Sequence, residues 1–355
     1  MSNNNSISAI NVLMLGGKRC GKTTVLSSMC SQIDMALAGT DLRLFPKNNT
    51  GERLNQAADV IRNKLEEFNT PLIRTTVDEN PTGAHQIYEF LFSSRSLGNV
   101  DLNIHDIPGE WLTSNLHEQE VKSLIAISQV IIIAIDTPYL FYKMTTDGYG
   151  QYHEEYNKPI EITNFFRNSL SPEDIKDRMI LFVPLKCERY YHLSHISKLN
   201  PSGRNYMQEV FDAVCAGYKD LLNYLLSTPQ LLNSLTIAVT PILSAGGIDF
   251  VKFEVDEETG KVVSLYQKPE FLPDSEKGFT PVFCEQPILY TLVYVMKLET
   301  DESNGRFSNS IFAAKKNSAL LNNINAYNTL RKKMKVSTGA VAQDGYYIIQ
   351  NPKNI

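Results

Sequence analysis

Eight consecutive residues, Gly16-Gly17-Lys18-Arg19-Cys20-Gly21-Lys22-Thr23, match the pattern G-x-x-x-x-G-K-[ST] in full. Its glycines let the backbone turn tightly, so that successive N–H groups point at phosphate oxygens. Lys22 brings a mobile cation to the β- and γ-phosphates of a nucleoside triphosphate, and Thr23 offers its hydroxyl to Mg²⁺. Short patterns also arise by chance, so context matters. Here the apolar run Ile10–Leu15 precedes the loop, and a helical segment running from Thr24 to Leu37 follows it. Strand, loop and helix are what the motif requires, and the helix start adds the positive end of its dipole. The phosphate-binding stretch therefore runs from Gly16 to Thr24.

The elements around this loop read as an α/β sheet. Candidate strands are Ile10–Leu15, Gln86–Ser93, Val100–His105, Gln129–Ile135, Arg178–Val183 and Leu235–Thr240. VIIIAI, MILFV and LTIAV are nearly continuous branched runs, the pattern of strands covered on both faces. Gln86–Ser93 and Val100–His105 are joined too closely for a parallel crossover, so they are antiparallel neighbours. The apolar positions Ala57, Ala58, Ile61, Leu65 and Phe68 form one helix face, and Met207–Leu225 holds a longer one; both are expected to pack on the sheet. Pro287–Leu298 closes the core. The expected fold is three-layered, with a six-stranded, mostly parallel sheet containing one antiparallel strand, and with insertions at residues 40–84, 138–172 and 248–285. The last of these reads as a β-hairpin around Glu258-Thr259-Gly260. The expected domain spans 9–300, after a disordered 1–8 and before a 301–355 extension with one helix.

Composition removes other classes. A net charge of −5 leaves no excess cation for broad nucleic-acid binding. Five scattered cysteines make neither a metal site nor a disulfide framework, which suits a reducing cytoplasm. No secretory leader is evident, and Val130–Ile135 is far too short to span a bilayer. The six histidines lack metal spacing. The tyrosines at 139, 142, 149, 152 and 156 read either as a local aromatic cluster or as a cover for a partner or base.

With the loop placed, further motifs resemble those of the Ras-like P-loop GTPases, the translation-factor-related class, over roughly residues 9–300. Asp106-Ile107-Pro108-Gly109 is similar to D-x-x-G. The resemblance implies that Asp106 reaches Mg²⁺ through water and that the Gly109 N–H contacts the γ-phosphate. Leu185-Lys186-Cys187-Glu188 is similar to the guanine-reading [NT]-K-x-D, departing from it at Leu185 and Glu188. It implies Lys186 along the base and Glu188 accepting from its edge. Ser244-Ala245 resembles the S-A motif at the base carbonyl. Thr82 is the expected switch threonine on Mg²⁺, with Thr75 and Thr76 as rivals. Glu110 stands where the family carries a water-orienting Gln; this D-x-P-G-E variant looks like that of some bacterial stand-alone GTPase-like and double-GTPase proteins. Lys22 and Glu110 are thus the expected catalytic groups, GTP or GDP with Mg²⁺ the expected ligands, and an unspecified protein effector the expected partner.

Three functions stay open: a slow GTPase switch whose Phe68–Gly83 segment orders around triphosphate, a nucleotide-holding scaffold without hydrolysis, and an ATP-driven machine in which Asp136 replaces Asp106 at the metal.

Overall fold

The computed structural model describes residues 9–67, 73–75, 83–94, 98–141, 152–170, 177–196, 198–258, 262–306, 324–335 and 345–351. The chain begins with β1 (Ala9–Leu15), α1 (Lys22–Leu37), β2 (Arg43–Pro46), α2 (Thr50–Glu67) and β3 (Ile73–Thr75). Next come β4 (Gln86–Ser94), β5 (Gly98–Asp106), α3 (Glu118–Ile127), β6 (Val130–Asp136) and α4 (Thr137–Phe141). Then follow α5 (Pro159–Ser169), β7 (Arg178–Leu185), α6 (Glu188–His195), α7 (Tyr206–Gly217), α8 (Lys219–Ser227) and α9 (Pro229–Ser234). The rest comprises β8 (Leu235–Val239), β9 (Gly246–Gly247), β10 (Asp249–Val255), β11 (Val262–Gln267), β12 (Gly278–Phe279), α10 (Gln286–Arg306), a helix over 324–333 and β13 (Tyr347–Gln350).

The central sheet has eight strands in the order β13-β8-β7-β6-β1-β5-β4-β2, not the six expected. β1 lies parallel between β5 and β6, and β7 and β8 continue the parallel run. β4 pairs antiparallel with β5, as its short link requires. The expectation of a single antiparallel strand is corrected, since β13 also runs against β8, and β2 pairs antiparallel with β4. Both additions sit at sheet edges. β2 is only four residues, RLFP, with Leu44 alone buried, so it carries almost no strand signature.

Alternation along the strands builds two cores. Val12 and Met14 face α1 and α10, while Leu13 and Leu15 face α3, α5 and α8. β6, β7 and β8 are buried along their whole length because helices cover both faces.

A third, smaller core departs from the sequence expectation. Leu65, Tyr152, Ala245, Ile248, Phe250, Phe253 and Tyr266 pack together, with Ile61, Tyr139 and Val262 against them. All three insertions contribute to it. In α2 only Leu54 of the apolar residues joins the main core; Ile61 and Leu65 turn to this small one instead of the sheet. β10 pairs antiparallel with β11, and β11 in turn with β3. Thus the two strands of the expected hairpin pair, while Thr259 and Gly260 lie outside the described residues, as do Phe68, Thr76, Thr82, Tyr142, Tyr149 and residues 1–8.

Candidate functional site

The G-x-x-x-x-G-K-T loop leaves the C-terminal end of β1. Asp106 ends β5, Asp136 ends β6, and Lys186 and Ser244 follow β7 and β8. These groups gather at the carboxyl edge of the parallel strands, where open α/β sheets bind ligands. One cleft connects them, from Thr23 and Gly109 through Lys22 to Lys186, Glu188, Ser244 and Ala245.

The loop is tightly fitted. A Cβ on Gly17 would fall 1.6 Å from the Tyr156 carbonyl oxygen, and one on Gly109 would fall 2.1 Å from the Lys18 nitrogen. Only glycine allows either approach. Lys22 is buried and donates to the carbonyls of Gly16 at 3.1 Å and Gly17 at 3.4 Å. Lys18 and Arg19 are exposed at the cleft mouth beside Thr24, and Arg19 adopts a left-handed φ of 65°. Cys20 is buried beneath the loop, where desolvation pushes its thiol up.

Thr23 donates its hydroxyl to Asp106 Oδ2 at 3.2 Å. The other oxygen, Oδ1, is buried with no hydrogen-bond partner. Burial raises the Asp106 pKa, opposed by Lys22 and the Thr23 hydrogen bond. An orphaned carboxylate oxygen next to a hydroxyl is a donor set that fits a hard divalent cation. Among the described residues no three His, Cys, Asp or Glu side chains cluster as metal ligands. A cation here would rely on this pair and on a ligand's own phosphates, which is how Mg²⁺ is ordinarily held.

Glu110 does not stand alone after Gly109. Its carboxylate is 2.6 Å from the Lys18 ammonium. Burial raises its pKa, but the hydrogen bond and charge of Lys18 outweigh that and leave it lowered.

At the opposite end, Lys186 adopts φ 59° and pairs with Asp136 Oδ2. Burial pushes the Lys186 ammonium down, but Asp136 and then Tyr266 lift it well above its usual value. Asp136 is fixed from elsewhere too: its N–H donates to Asn157 Oδ1 at 2.8 Å, and its Oδ1 accepts from the Tyr139 N–H at 3.2 Å. Ser244 Oγ accepts from the Lys186 N–H at 3.0 Å. Glu188 is buried, and its Oε1 accepts from the amides of Ala245 at 2.7 Å and Gly246 at 3.2 Å. Burial raises its pKa against those hydrogen bonds.

Every expected site residue except Thr82 is therefore described, and the phosphate and base motifs share one cleft. The sequence reading missed the partnership of Asp136 with Lys186, and also the cleft walls supplied by Ile61, Val262 and Tyr266. Only the apolar stripe of α2 and the tyrosine cluster hinted at those walls. Tyr139 stacks on Tyr156 at 4.3 Å and on Phe253 at 4.5 Å, so the aromatic group is a local core whose edge reaches the cleft.

No model of a known protein family matches the chain, and no curated protein matches it in sequence. Solved structures give distant likenesses. The S. cerevisiae Ski7 GTPase-like domain bound to GTP is 13% identical over 76% of this chain and 48% of that one, with a TM-score of 0.33. The LeoA bacterial dynamin GTPase from ETEC is 11% identical over 91% of this chain and 38% of that one, with a TM-score of 0.28. The chain thus spans less than half the length of either. Likeness at this level decides nothing, and the functional reading rests on the residues. Among the described residues, no helix is long and apolar enough to cross a membrane.

Proposed function

We propose that this chain binds a guanine nucleoside triphosphate with Mg²⁺ and hydrolyses it slowly, switching between triphosphate and diphosphate forms. The observation that carries this reading is the Thr23–Asp106 contact with its unpartnered Asp106 oxygen, at the mouth of the G-x-x-x-x-G-K-T loop. Lys22 and the loop amides neutralise the phosphates, and the Gly109 backbone stands against the loop where a terminal phosphate would lie. Bound Mg²⁺ supplies charge stabilisation at the transferring phosphoryl group, while Thr23 and Asp106 fix where that charge sits. Thr82 is kept as the proposed switch ligand.

Asp106, not Asp136, is the proposed metal group. Asp136 is occupied by Lys186, which counts against the ATP-driven alternative. Lys186 and Glu188 are proposed to read guanine, with Ser244 and Ala245 backing the base. The Lys18–Glu110 pair favours one second reading, a scaffold that holds nucleotide without hydrolysis, because Glu110 is turned to a lysine. Single-turnover hydrolysis separates the two: a measurable rate supports the switch, and none supports the scaffold.

The nucleotide reading is tested by competition titration with Mg²⁺ present. GTP should bind about tenfold or more tightly than ATP, because one hydrogen bond to a charged group contributes roughly 1.5–3 kcal/mol. Glu188→Ala should narrow that gap. Equal competition by ATP and GTP in the wild type would remove guanine from the proposal.

A further inference from the structure

The cleft has two unlike walls beyond the phosphate loop. One is polar and lies just beyond β7: the Lys186 ammonium and the Glu188 carboxylate are there. The other is apolar: Ile61 and Leu65 of α2, Val262 of β11, and Ile248 line the same cleft, while Tyr266 of β11 hydrogen-bonds Lys186 where the two walls meet. These come from two of the three insertions, and they belong to the small third core, which holds them in place. β3 hydrogen-bonds to β11 at Ile73–Tyr266, Arg74–Leu265 and Thr75–Ser264, so the first insertion is tied directly to the last.

An apolar wall beside a polar strip is a poor match for a ribose or for phosphates, which carry hydroxyls or charge all round. It suits a flat heteroaromatic ring, whose faces are apolar and whose edge carries donors and acceptors. We infer that the insertions form a nucleoside-binding roof: Ile61 and Val262 cover the face of the base while its edge meets Lys186 and Glu188. The inference rests on the nucleotide reading above and deepens it. Apolar contact does not distinguish purines, so the roof strengthens GTP and ATP binding alike. Selection between them remains with the polar strip. A roof built from two insertions also slows nucleotide release, because the base leaves only when its apolar cover parts.

Inorganic tripolyphosphate is the probe that separates roof from phosphate loop, since it carries the charges without a base. In the full chain, Ile61→Ala with Val262→Ala should lower GTP and ATP affinity by a similar factor, about tenfold or more for the apolar groups removed. Tripolyphosphate affinity should stay unchanged, which also reports that the loop is still folded. Dissociation of a fluorescent GDP analogue should accelerate correspondingly. Parallel losses for nucleotide and tripolyphosphate, or no loss for either, would overturn the roof. A second measurement needs no variant: wild type that binds GTP no more tightly than tripolyphosphate also overturns it, while leaving the phosphate site standing. Wild type that binds neither rejects the nucleotide reading itself, and the roof with it.

Discussion

Lys18 and Glu110 show how a single contact changes the expectation at a site residue. Read alone, Glu110 beside a terminal phosphate is a repelling charge. Paired with Lys18 at 2.6 Å, it is screened. Lys18→Ala should therefore weaken triphosphate binding, by about tenfold for an uncompensated carboxylate near phosphate, and Lys18→Ala with Glu110→Gln should restore most of it. Equal affinity of wild type and Lys18→Ala in calorimetry would contradict this. A second pair titrates differently. His105 sits buried on β5, its Nδ1 3.1 Å from His85 Nε2 and its Nε2 3.2 Å from Asn11 Oδ1. Burial, and then the nearby His85, push its pKa down from 6.5 to about 4. The folded state thus favours neutral His105, and the unfolded chain takes up its proton first as pH falls. This contribution to stability is complete above about pH 6.5 and is lost towards pH 4, roughly 1–2 kcal/mol after allowance for solvent at the His85 side. Denaturant midpoints measured across that range should fall more steeply for wild type than for His105→Gln; superimposable profiles would contradict it. The G-x-x-x-x-G-K-T loop was legible in the sequence because a loop motif is local. The partners of Lys18, Lys186 and His105 were not, because each pair joins segments that only folding brings together.

At the scale of elements, legibility followed burial. β6, β7 and β8 are covered on both faces and announce themselves as apolar runs. β13 does not, because Tyr347–Gln350 is an edge strand whose pairing with β8 spans over a hundred residues of chain. Its anchor is Tyr346, which is 1% exposed and packs edge-on against Phe283 at 5.2 Å. Tyr346→Ala should cost about 3–5 kcal/mol, as large aromatic truncations in a core do. The variant should also be prone to aggregate, because a loosened β13 uncovers the backbone of β8. An unchanged denaturation midpoint would show that the last strand contributes little. The stripe on α2 teaches a related point. Its periodicity correctly specified a helix with one apolar face, but periodicity does not say what that face meets. Ile61 and Leu65 of the stripe meet a core that exists only because three insertions converge.

Across the whole molecule, a parallel sheet sets the G-x-x-x-x-G-K-T loop, Asp106 and Lys186 at one edge, and residues of the insertions line the cleft there. The parallel core strands, the β4–β5 pairing and the loop were readable from sequence. The small core shared by the insertions was not, because its parts lie at residues 40–84, 138–172 and 248–285 and it depends on contacts far apart in the chain. The central claim is that the edge holds a triphosphate through Lys22. Calorimetric titration of GTP with Mg²⁺ into wild type and Lys22→Ala tests it most directly. Loss of a buried cation facing phosphate should weaken binding by about 100-fold or more, given roughly 1.5–3 kcal/mol for each hydrogen bond to a charged group. Equal affinity in the two proteins would contradict the assignment of the site.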